Sequence, residues 1–98
     1  MSEVILINPF EVPDGAEADA LAYWDRAADH LRRQPGFVST RLHRALGPGA
    51  RFPLVNLAVW RSSADFLQAV TSPPFQRLSA DGRERFPHYP ALYEVVRS

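Results

Sequence analysis

The sequence contains no cysteine, which excludes disulfides, thiol nucleophiles and thiolate metal sites and fits a reducing compartment. It carries no net charge either: 11 basic residues balance 11 acidic ones, with no Lys/Arg run and no interleaving of aromatic and basic side chains. Nothing advertises a polyanionic partner, so no nucleic acid is expected. No apolar run approaches the length of a membrane span, and the opening residues MSEVILINPF are too short and acidic for a secretory signal. A cytoplasmic protein without membrane contact is the expectation. Repeats, low-complexity tracts and linkers are missing too, and the nine prolines are scattered among turns. The 98 residues are expected to form one domain, 1–98.

What is present is a globular composition, 46% hydrophobic and 22% charged. Residues 3–12 are rich in Val and Ile and read as a strand, closed by the turn signal Pro13-Asp14-Gly15. From Glu17 to Arg33 the apolar residues Leu21, Trp24, Ala27, Ala28 and Leu31 recur at three- and four-residue steps, which predicts an amphipathic helix. Asp14 with Glu17 three later resembles a capping box, and Pro35-Gly36 stops the helix. Residues 36–46 and 51–61 read as two strands joined by a turn at Gly47-Pro48-Gly49. Ser62 or Ser63 caps a helix to about Thr71, and Pro73-Pro74 starts a short one toward Ala80. ADGRERFPHYP reads as an irregular crossing, and ALYEVVR as the last strand. The order β-α-β-β-α-β predicts an α+β, ferredoxin-like sandwich.

Such a sandwich covers one sheet face with helices. Alternation places Leu54, Asn56, Ala58 and Trp60 on one side of the third strand and Val55, Leu57 and Val59 on the other. The first strand alternates Val4, Leu6, Asn8 and Phe10 against Ile5 and Ile7. Both faces are largely apolar, and each buried aliphatic is worth roughly 1.5–3 kcal/mol, so the second face needs cover. A homodimer whose two sheets close into a barrel-like core supplies it. Alternation from Phe37 then sends Ser39, Arg41 and His43 one way and Val38, Thr40 and Leu42 the other. If the aliphatic face is the dimer core, the face under the helices gathers Asn8, Asn56, Trp60, Ser39 and His43. Unpaired polar groups in a dry core cost about 1–3 kcal/mol each, so these satisfy one another or line a ligand pocket. His30 reads as a solvated helix residue and His88 as a loop residue. The three histidines show no metal-ligand spacing, and no metal is expected.

In order and spacing, the stretches QPGFVSTRLHRAL, FPLVNLAVWRSSADFLQAV and SPPF resemble the antibiotic biosynthesis monooxygenase family. The resemblance covers nearly the whole chain and implies a dimeric α+β barrel. Its cofactor-independent anthrone oxygenases carry an Asn and a Trp in the pattern of Asn56 and Trp60, and a His late in the strand after "PGF", matched by His43. A helical Arg of that group falls at Arg77, and a Tyr is replaced by Phe66, which removes one phenol. The haem-degrading branch uses a strand-one Asn and the same Trp, matched by Asn8 and Trp60. Its helical iron-ligating His corresponds to Ser79, and serine is no proximal haem ligand, so haem is not expected.

The function implied is oxidation of an aromatic, polyketide-like anthrone or phenol to a quinone. Molecular oxygen is the co-substrate, and no cofactor takes part. Triplet oxygen reacts slowly with closed-shell molecules, and the sequence shows no dinucleotide glycine motif, so the deprotonated substrate itself must act as reductant. Trp60, Phe37, Phe66 and Phe75 would stack on the ring, with Asn8 and Ser39 beside it. Asn56 would donate to developing oxyanion charge, His43 would take the proton and Arg77 would hold a phenolate. A non-oxidative polyketide cyclase or isomerase, and a non-catalytic binding module, are the alternatives the same residues allow.

Overall fold

The computed structural model describes residues 3–98. Its elements run β1 (Val4–Phe10), α1 (Glu17–Leu31), β2 (Phe37–Arg44), β3 (Leu54–Trp60), α2 (Ser63–Thr71), α3 (Pro73–Arg85) and β4 (Ala91–Tyr93). The four strands form one antiparallel sheet in the order β2-β3-β1-β4. That is the α+β, ferredoxin-like arrangement read from the sequence, with its second helix split at Ser72 into α2 and α3.

The register follows from the alternation of β1 and β3. Leu6 pairs with Ala58, Asn8 with Asn56 and Phe10 with Leu54, so these six share one face. That face carries the core. Phe10 and Leu54 pack with Ala20 and Tyr23 of α1 and with Phe86 beyond α3. Leu6, Ala58 and Trp60 pack with Ala69 of α2. Among the described residues no helix packs on the opposite face, where Leu57 and Tyr93 stay exposed beside half-buried Ile5, Ile7, Val55 and Val59.

Four local expectations are corrected. The start of α1 is no capping box. Its N-cap is Ala16, which makes no side-chain cap bond, and the Glu17 carboxylate instead accepts from the Arg44 guanidinium at 2.9 and 3.2 Å. The third helix does not stop near Ala80 but continues to Arg85, through most of the segment expected to be irregular. Gly82 survives inside it because the buried Tyr23 ring occupies the space a side chain would need. The last strand spans three residues rather than seven, Ala91–Tyr93, which pair with Ile5–Ile7 of β1. Val95 and Val96 run on past it, exposed.

The fourth correction bears on function. Strand β2 contains a bulge: Phe37 faces Trp60 and Ser39 already faces Val59, so Val38 is an extra residue. Beyond it Thr40 opposes Ala58 and Leu42 opposes Asn56, on the helix side. Ser39, Arg41 and His43 therefore lie on the other face, exposed. The expected gathering of Ser39 and His43 with Asn8 and Asn56 does not occur. Of the two candidate caps of α2, Ser62 is the one used, its Oγ accepting from the Asp65 amide at 3.1 Å.

Candidate functional site

Between the sheet and the helices lies a cavity of about 260 Å³, near the lower end of small-molecule sites. Strands β1 and β3 supply its floor, with Leu6, Asn8, Asn56, Ala58 and Trp60. Helix α1 contributes Tyr23, Trp24, Ala27 and Leu31, and α3 contributes Phe75, Gln76, Ser79 and Arg83. Of the residues expected at the site, the cavity brings together Asn8, Phe37, Asn56, Trp60, Phe66 and Phe75. His43, Ser39 and Arg77 are not in its lining. His43 lies on the far sheet face, its Nδ1 3.3 Å from the Val55 carbonyl oxygen, and Arg77 is exposed on α3.

The polar groups of the floor are arranged by β2. Thr40, brought inward by the bulge, donates its hydroxyl to Asn56 Oδ1 at 2.7 Å. With that oxygen engaged, the Asn56 Nδ2 amide is left to donate. Directly across the register, Asn8 Oδ1 is buried and has no hydrogen-bond partner among the described residues. An orphaned acceptor beside a free donor, both on a cavity wall, is a pair that a ligand bearing a hydroxyl and an oxyanion satisfies. Trp60 is only 1% exposed and so belongs to the core as well as the wall. Its indole meets Phe37 and Phe66 edge-on, with centroids at 5.4 and 5.6 Å. This cluster makes one end of the cavity stiff and aromatic.

Tyr23, Trp24, Thr40, Arg83 and His88 are among the lining residues that sequence reasoning missed. Tyr23 and Trp24 lie on the core side of α1, where their periodicity already put Trp24. Thr40 was hidden by the bulge. Arg83 and His88 stand in the segment read as an irregular crossing. Arg83, not Arg77, is the cavity's cation, folded back on its own helix to donate to Ser79 Oγ at 2.6 Å and the Gln76 carbonyl at 3.3 Å. Burial pushes the Tyr23 phenol pKa up, opposed by Arg83 and Arg26 and reinforced by Asp81. His30, expected in solvent, instead packs its ring on Phe75 at 5.9 Å, with Nε2 buried and without a partner among the described residues.

A larger depression of about 490 Å³ lies between the β1–α1 turn and the 44–53 loop. Arg44 pairs with Glu17 across it, and its lining of charged residues, turn prolines, glycines and small side chains offers no aromatic wall for an organic ligand. Among the described residues no group of three or more His, Cys, Asp or Glu gathers to hold a metal ion. No helix among them is long and apolar enough to cross a membrane.

Residues 3–81 match the family model described as antibiotic biosynthesis monooxygenase. The fold is similar to that of a candidate monooxygenase from Shewanella loihica PV-4. That chain is 40% identical with a TM-score of 0.84, over 99% of this chain and 97% of that one. It is also similar to SnoaB, a cofactor-independent oxygenase from Streptomyces nogalater. Here identity is 30% and the TM-score 0.85, over 100% of this chain and 97% of that one. A Bordetella bronchiseptica relative, 21% identical with a TM-score of 0.78 over 100% and 99% of the two chains, shares the fold. No curated protein sequence matches the chain. With the family model spanning most of its length and two solved relatives at 30% identity or more, this chain belongs to the antibiotic biosynthesis monooxygenase family.

Proposed function

We propose that this chain is a cofactor-independent monooxygenase that oxidises a phenolic anthrone-type substrate to a quinone with molecular oxygen. The observation that carries this reading is the Asn56 amide. It stands in an apolar, aromatic-walled cavity, its oxygen held by Thr40 and its nitrogen left to donate, in a chain 30% identical to a cofactor-independent oxygenase. The substrate ring lies against Trp60, Phe37 and Phe66. The Asn56 N–H stabilises charge that develops on the ring oxygen as the substrate becomes an enolate. Asn8 Oδ1 accepts from a substrate hydroxyl, and Arg83 supplies the positive charge assigned from the sequence to Arg77.

The reading extends to assembly. The uncovered sheet face carries Ile5, Ile7, Val55, Leu57 and Val59, and burying it against a second copy closes two sheets into one core. Support comes from this apolar face and from the family to which the chain belongs.

The test is oxygen uptake with a dihydroxyanthrone. The wild type is expected to consume one oxygen per quinone formed, and Asn56→Ala to lower kcat by about 10²- to 10³-fold, as for the loss of one oxyanion donor. An Asn56→Ala variant that is folded and turns over at the wild-type rate overturns the assignment. Tight binding of the anthrone without oxygen uptake by the wild type points instead to a binding module.

A further inference from the structure

Three titratable side chains stand in the described lining of the cavity: Tyr23, Arg83 and His88. Two of them accept no proton near neutral pH. A guanidinium stays cationic, and burial keeps the Tyr23 phenol in its neutral, protonated form. His88 differs. It sits between α3 and β4 and is fixed by three contacts. Its backbone bridges to Phe10, its ring stacks on Phe10 at 5.5 Å and 27°, and its Nδ1 lies 3.1 Å from the Phe86 carbonyl oxygen. A carbonyl only accepts, so Nδ1 carries the hydrogen. The neutral imidazole then presents Nε2 as a bare lone pair, and Nε2 makes no hydrogen bond among the described residues.

We propose that His88 is the proton acceptor of this cavity, the role the sequence pattern suggested for His43. The inference rests on the oxygenase reading above for its substrate. In that reaction the ring methylene loses one C–H proton to His88 Nε2, leaving an enolate. The enolate passes one electron to oxygen, and the resulting radical and superoxide join in a new C–O bond as a peroxide anion. Cleavage of the O–O bond, with loss of the second C–H proton to the departing oxygen, leaves the carbonyl and hydroxide. Hydroxide takes back the proton held by His88, so that CH₂ and O₂ become C=O and H₂O and the imidazole is regenerated. The Phe86 carbonyl has a second use here, since it accepts the Nδ1–H bond more strongly once the ring is an imidazolium.

Around His88, β1 presents the uncharged Phe10, followed by Glu11, which accepts from the Tyr89 hydroxyl. Helix α1 contributes Tyr23 to the lining, and α3 contributes Arg83, held by Ser79. Phe86, buried to 1% exposure, anchors the carbonyl that orients the ring.

The experiment compares the full-length wild type with His88→Gln and His88→Ala in oxygen uptake with a dihydroxyanthrone across roughly pH 5 to 9. Both variants are expected to lose about 10²- to 10⁴-fold in kcat with little change in KM, and to lose the acidic limb of the pH profile. Added imidazole should restore part of the rate to His88→Ala. A folded His88→Gln with wild-type kcat, or with the same acidic limb, overturns the proposal. A second measurement needs neither variant: two-bond proton–nitrogen NMR of the wild type titrated with a dihydroxyanthraquinone. It should show His88 protonated at Nδ1, with its Nε2 resonance moving on binding. A hydrogen on Nε2, or a resonance that does not move with saturating ligand, overturns it. A wild type that consumes no oxygen with anthrones defeats the oxygenase reading by itself, and the NMR titration still decides His88.

Discussion

Replacing Gly82 by alanine sets two known effects against each other. Inside an exposed helix the change should stabilise by about 1 kcal/mol, because glycine loses more backbone freedom on folding. In α3, however, a Cβ at position 82 would fall within the Tyr23 ring, against Cδ1, Cε1 and Cζ. Tyr23 is 7% exposed and packs on Phe86, itself 1% exposed, so the ring has little room to yield except into the cavity. Overpacking of this kind costs about 1–3 kcal/mol. The net expectation is destabilisation by about 1 kcal/mol, or about 4–8 °C in Tm for a domain of this size. Urea unfolding at fixed protein concentration measures it, with an unchanged slope as the sign that both states are otherwise alike. In a Tyr23→Ala background the same substitution should change sign and stabilise. Stabilisation by Gly82→Ala in the native background, or the same effect in both backgrounds, refutes the claim that the ring dictates this glycine.

Three further outcomes follow from the geometry. Because burial raises the folded-state pKa of Tyr23, the unfolded chain ionises first. This contribution to stability is full below about pH 10 and is lost as pH rises beyond it. Tyr23→Phe should flatten that alkaline decline in denaturant midpoints, and an unchanged slope counts against the burial account. Thr40→Val removes the donor that fixes Asn56 Oδ1 and should lower kcat roughly fivefold, the equivalent of about 1 kcal/mol, with Thr40→Ser restoring the rate. Equal rates for all three forms would show that Asn56 needs no such support. Finally, light scattering should give the wild type the mass of two 11.0 kDa chains and Leu57→Asp the mass of one. A wild type at the single-chain mass refutes the paired-sheet model.

The parts of the molecule legible in the sequence are those governed by strict period. In β1 and β3 each second residue faces the helices, so Asn8, Asn56 and Trp60 were placed together from letters alone. The periodicity of α1 and the Ser62 cap of α2 were equally plain. What was illegible depends on contacts distant in the chain. The bulge at Val38 leaves the composition of β2 unchanged yet inverts the facing of Thr40 and His43. Gly82 lies in the stretch read as an irregular crossing, and its place inside α3 is explained only by the Tyr23 ring that fills the space beside it. His88 reads as a loop residue because its partners, Phe10 and the Phe86 carbonyl, are set by the extension of α3 to Arg85.

The extra residue in β2 also makes the effect of a one-codon deletion depend on where it falls. Losing Val38 would merely regularise the ribbon, with Phe37 still opposite Trp60 and Thr40 opposite Ala58. Losing Thr40 would let the same kink close, keeping Arg41 opposite Leu57 and His43 opposite Val55 and setting Ser39 opposite Ala58 in its stead. Relatives one residue shorter here can thus keep the same chamber with a different hydroxyl on its wall, and aligning them by letters without the kink would misplace it.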